Sequence, residues 1–223
     1  MAGVEPAERV DLTRAGHEPE DACRDVQPPG AVRTVLLLSW VSLLWMVAEG
    51  GLGLFAGLRA HSVSLVAWAL GSAIEGLASV IVIWRFSGSR RLSETAELRA
   101  QRAVAVSFWL LAVFITAEAV RALLGTASGE ATTLGLVVTA ASLVVMPGLG
   151  VAKRRLGARL GSGATTGEGT QNLLCAAQAG AVLVGLAVRA LTGIEWLDPV
   201  IALGLAAWSV QEGREAWEGE DCC

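Results

Sequence analysis

His61–Phe86, HSVSLVAWALGSAIEGLASVIVIWRF, decides the reading of this chain. The run is apolar and long enough to cross a bilayer as a helix, which takes about 20 residues. One acid, Glu75, interrupts it near its middle. A carboxylate at that depth costs about 2.5–3.5 kcal/mol on insertion scales, so it faces a partner, an ion or a water-filled cavity. Glu75 is therefore a candidate functional residue; the alternative is a carboxyl hydrogen-bonded to a neighbouring helix as structural glue.

Working outward, six apolar segments are predicted at about 34–57, 62–85, 103–124, 131–151, 170–192 and 199–217, the fifth starting as early as Ser162. The chain is 53% hydrophobic and only 17% charged, against about 45–50% and 25% in soluble domains. Its mean hydropathy is +0.55. Helices are the expected spanning structure, because each satisfies its own backbone polar groups, and the segments are too long and too uniformly apolar for barrel strands. The expected fold is an all-α membrane protein, a six-transmembrane-helix bundle over 32–217 in the cell membrane, in contact with lipid.

Charge orients the bundle. Arg85, Arg90, Arg91, Arg99 and Arg102 lie around the 2–3 connection, and Lys153, Arg154, Arg155 and Arg159 around the 4–5 connection. Only Arg59, Arg121 and Arg189 lie on the opposite side. Nine basic residues against three put both termini in the cytoplasm. Lys153, the single lysine, enters only as one of these loop charges. The net charge of −4 gives no reason to expect a nucleic-acid partner.

The ends are solvated. Residues 1–31 hold seven acids and three arginines and close on Pro28-Pro29-Gly30, a composition that reads as a disordered cytoplasmic tail and not as a signal peptide. Residues 218–223 form a short acidic tail ending in Cys222-Cys223. Cys23, Cys175 and that pair have no zinc-knuckle spacing. Asp198 is expected to N-cap the sixth helix, with Pro199 in its first turn. Trp196 and Trp217 would bracket that helix as interfacial aromatics.

Several stretches resemble the cation diffusion facilitators, which are divalent-metal/proton antiporters. They are Ser64-Leu65 and Trp84-Arg85 on the second segment, MPGLGVAKRRLGARLGS at 146–162, Glu168 to Cys175, Asp198-Pro199, and VQEGREAW at 210–217. Together they cover roughly 34–217. In that family the second helix presents two metal ligands four residues apart; the matching positions here are Gly71, which has no side chain, and Glu75. The fifth helix gives another such pair, and Glu168 and Asn172 fall where it should be. The resemblance implies a homodimer, inward-facing termini and proton-coupled export of zinc, cobalt, iron or manganese. It implies a short form in which the family's cytoplasmic C-terminal domain is missing.

The candidate metal ligands are thus Glu75, Glu168 and Asn172. Glu168 and Asn172 are four apart and share one helical face, and carboxylate and amide oxygens suit a hard or borderline divalent cation. No tightly bound cofactor is expected. Glu49 and Glu118, at similar depth in the first and third segments, are possible proton or vestibule residues that could share a proton; equally, they could be a neutral, hydrogen-bonded pair that fixes helix packing. Glu168 could also be a first-turn acid favoured by the helix dipole. His61 reads as interfacial and His17 lies in the tail. An enzyme is not expected: there is no HExxH, no P-loop and no nucleophile beside a base. The alternative to transport is a non-transporting membrane scaffold or assembly protein with a degenerate metal site.

Overall fold

A computed structural model describes residues 29–60, 63–125, 133–194 and 196–219. They form six long helices: α1 (Pro29–Ala60), α2 (Val63–Arg85), α3 (Glu94–Leu123), α4 (Thr133–Leu160), α5 (Gly163–Thr192) and α6 (Leu197–Glu218). A 3-10 turn, Gly88–Leu92, joins α2 to α3. Five of the helices, α1 to α5, carry segments long and apolar enough to cross a membrane. At about 1.5 Å per residue α6 has comparable length, but Asp198, Glu212, Arg214 and Glu215 make it more polar. Tail residues 1–28, His61, and Cys222-Cys223 lie outside the described residues.

The helices pack chiefly as α1 on α2, α3 on α6 and α4 on α5. α5 also meets α2, α3 and α6, and Ser162–Ala176 is buried except at Thr166 and Leu173. That half of α5 is the axis of the bundle. The outside is apolar instead: Leu37, Leu44, Phe55, Val113, Val144 and Leu191 are all well exposed. A polar spine inside an apolar coat is the arrangement a bilayer selects.

Most helices outrun their apolar runs. α3 begins at Glu94, where Ser93 accepts from Ala96 N–H as an N-cap. α5 begins at Gly163 under an equivalent Ser162 cap, the earlier of the two starts predicted. α1 begins at Pro29, so the last residues of the expected tail are helical. Asp198 does not cap α6: Trp196 is the N-cap residue and Asp198 sits inside the first turn, beside buried Pro199. A proline fits that first turn without losing a hydrogen bond, which lets the helix start before Asp198.

The largest correction concerns Lys153, Arg154, Arg155 and Arg159, expected around a loop. They are helical, in the last turns of α4. The three arginines are exposed, whereas Lys153, Gly157 and Leu160 are buried, so the segment is amphipathic with period 3.6. Two glycines make this possible. A Cβ on Gly150 would lie 2.8 Å from Gly169 O, and one on Gly169 would lie 2.8 Å from Gly150 O. Backbones that close drive Lys153, one turn along α4, into the interior.

Candidate functional site

Ser39, Ser42, Met46 and Glu49 follow one another at helical spacing along α1, so they share a stripe. Ser39, Ser42 and Met46 are buried, as is Glu49. Opposite this stripe stand Ser142, Met146 and Lys153 of α4 and Glu168, Gln171, Asn172 and Cys175 of α5, all buried. α2 contributes Ser72, Glu75 and Ser79. The interior thus holds a polar column between four helices.

One end of the column is an ion pair. Lys153 Nζ lies 2.6 Å from Glu168 Oε1, with both side chains essentially inaccessible to solvent. The ammonium also donates to Ser42 Oγ at 2.6 Å and to Asn172 Oδ1 at 3.3 Å. The other carboxylate oxygen, Oε2, accepts from Ser39 Oγ at 2.6 Å. Asn172 Nδ2 donates to Ser42 Oγ at 3.1 Å and contacts Met146 Sδ at 3.2 Å. Each ammonium proton has an acceptor, as a buried charge requires. The predicted pair Glu168 and Asn172 is indeed brought together, but around a lysine.

Glu75 sits elsewhere in the column. Gln178 Nε2 donates to its Oε1 at 3.3 Å. Glu75 and Asn172 nevertheless line one cavity, with Ser42, Met46, Ser79, Gln171 and Cys175. Its volume of about 10 Å³ is room for about one water. Gly71 is buried against α3: a Cβ there would stand 3.0 Å from Phe114 Cε1.

Glu49 and Glu118 do not form the pair expected from their similar depth; each is held by other partners. Glu49 Oε2 accepts from Trp45 Nε1 at 2.9 Å and from Ser142 Oγ at 3.4 Å, tying α1 to α4. Glu118 Oε1 pairs with Arg121 Nη1 at 2.8 Å on its own helix and is a third exposed. Among the described residues no three His, Cys, Asp or Glu side chains gather as metal ligands do.

Sequence reasoning passed over Lys153, Gln171 and Cys175. The lysine carried a usable signal, since a chain that otherwise employs arginine uses lysine once. Arginine's five-donor fork would not fit three oxygens around a point charge. Gln171 and Cys175 are also four apart and face the cavity wall; within an apolar helix that spacing had nothing to set it apart.

Chemically the column offers oxygen acceptors from carboxylates, hydroxyls and amides, a set matched to cations. A search of curated proteins gave no match. A family model described as the cation efflux transmembrane domain matches residues 39–217. That span runs from Ser39, beside Glu168, to the last turn of α6, and on it the chain belongs to the cation efflux family, membrane proteins that move metal cations.

Proposed function

We propose that this chain exports a divalent cation such as zinc, cobalt, iron or manganese through a site between α2 and α5, in exchange for protons. Glu75, Glu168 and Asn172 are its protein ligands. The observation that carries this reading is the shared cavity: Glu75 of α2 and Asn172 of α5 line the same small space in the bundle interior. Two carboxylates match one divalent charge, and water completes a site of three protein ligands, as it does in open metal sites. Glu49 and Glu118 serve proton movement or an outer vestibule.

In this reading all six helices cross the membrane with both termini in the cytoplasm. The exposed basic residues of the 2–3 turn and of the α4 end, Arg91, Arg154, Arg155 and Arg159, with half-buried Arg90 beside them, support that orientation. The working unit is a homodimer held through membrane helices or loops.

A second reading has specific support. Glu168 is neutralised by Lys153, and Phe114 packs where a ligand at position 71 would stand. Both favour a non-transporting scaffold with a degenerate metal site. Metal uptake into proteoliposomes under an imposed pH gradient separates the readings, with zinc, cobalt, iron and manganese each offered. Transport predicts flux in the wild type, lost in folded Glu75→Gln and Glu168→Gln variants. A folded wild type that passes none of the four metals establishes the scaffold.

A further inference from the structure

We propose that Lys153 is a tethered competitor of the cargo ion: its ammonium occupies Glu168 and Asn172 in the empty protein and leaves them when a divalent cation binds. The inference rests on the reading of Glu75, Glu168 and Asn172 as cargo ligands and adds the device that empties the site.

Lys153 Nζ takes Glu168 Oε1 and Asn172 Oδ1, the oxygens that a metal would use. Glu168 Oε2 is engaged by Ser39. A divalent ion cannot share these atoms with an ammonium, because the two repel strongly at short range in a low-dielectric interior. Charge points the same way. With Lys153 seated, Glu168 is neutralised and Glu75 alone cannot balance a divalent ion. With Lys153 withdrawn, the two carboxylates match it.

The lysine also has somewhere to go. Lys153 lies near the end of α4, next to exposed Arg154 and Arg155 and one to two turns from exposed Arg159. A flexible four-carbon stem can carry its head toward that solvated end while the methylenes stay buried. Metal entry therefore displaces the ammonium, and its return expels the metal. Lys153 is a positioning and competing residue; it does not touch the cargo.

The test is Co²⁺ binding to the purified full-length protein in detergent, followed by calorimetry and by the cobalt absorption band. Lys153→Met should bind Co²⁺ at least tenfold more tightly than wild type and release it more slowly. Adding Glu168→Gln to that variant should abolish the gain. If Lys153→Met binds no tighter, while Glu75→Gln weakens wild-type binding, the competitor role is overturned and the site reading stands. Absence of Co²⁺ binding in wild type and Lys153→Met alike overturns both.

A readout on the unmutated chain covers a variant that fails to fold. Lys153 is the only lysine, so an amine-reactive ester can be located on it by mass spectrometry. Saturating Co²⁺ should raise its labelling several-fold. Labelling that stays the same, with Co²⁺ demonstrably bound, overturns the proposal.

Discussion

A Cβ on Gly71 would stand 3.0 Å from Phe114 Cε1, so a ring from α3 fills the space that a second ligand on α2 would need. The absent ligand and the present aromatic are one packing solution. Gly71→Asp alone forces the ring aside and should destabilise by about 1–3 kcal/mol, the usual cost of overpacking. Gly71→Asp with Phe114→Ala removes the clash and places a carboxylate one helical turn from Glu75. The double variant should bind Co²⁺ at least tenfold more tightly than wild type, measured by calorimetry in detergent. Unchanged affinity in a folded double variant would show that position 71 does not face the cargo.

Lys153 and Glu168 form a buried pair with a distinct stability signature. Removing one partner of such a pair costs about 3–5 kcal/mol, because the other is left as an uncompensated charge; replacing both is often neutral. Lys153→Met and Glu168→Gln should each lower the thermal midpoint in detergent, and the double variant should recover most of the loss. Strictly additive losses would mean that the two charges do not meet inside the folded protein.

Glu97 makes a second, partly buried link, at the N-terminal end of α5. Its Oε2 accepts from Arg85 Nε at 2.6 Å, and its Oε1 accepts from Ser162 Oγ at 3.0 Å and Ala164 N–H at 3.1 Å. One carboxylate therefore fastens the ends of α2 and α3 to the first turn of α5, where negative charge also suits the helix dipole. Glu97→Ala strands Arg85, which is 4% exposed. The expected loss is about 3–5 kcal/mol, a fall of roughly 10 °C for a chain of this size. A midpoint within two degrees of wild type, on the order of less than 1 kcal/mol, would sink this account.

The helices were legible in the sequence because lipid-exposed residues advertise themselves as long apolar runs. Their ends were less so. α4 continues through Lys153-Arg154-Arg155 because glycines at 150 and 169 allow contact with α5, and no local property of KRR records that neighbour. Glu168 and Asn172 were found by their spacing, but what they hold was not, since the lysine is 15 residues from Glu168 in sequence. Glu75 was conspicuous as an acid in an apolar helix; Gln178, its partner, was hidden as a neutral residue 103 positions away. Register along one helix is readable. Contact between helices is a property of packing.

The orientation of the Gln171 amide turns on a single proton. Ser107 Oγ lies 2.7 Å from Val104 O and 3.0 Å from Gln171 Oε1. A hydroxyl has one proton to give, and the shorter contact claims it. Its lone pairs then face Gln171, whose amide is best satisfied when turned over so that its NH₂ donates to Ser107. The end without a protein partner, Nε2 in the unturned amide, becomes a carbonyl oxygen. Unpaired buried acceptors are tolerated better than unpaired buried donors, and Gln171 lines the cavity that contains Glu75. On the transport reading, that oxygen would be available to a cation held there. Gln171→Glu keeps the shape and adds charge, so Co²⁺ affinity should rise at least tenfold, about 1.4 kcal/mol. Gln171→Leu should lower affinity and uptake while leaving the fold intact, because it removes the unpaired polar end at similar bulk. If Gln171→Glu leaves Co²⁺ binding unchanged or weaker, the end of this side chain does not reach the cation, which must be held by Glu75 without it.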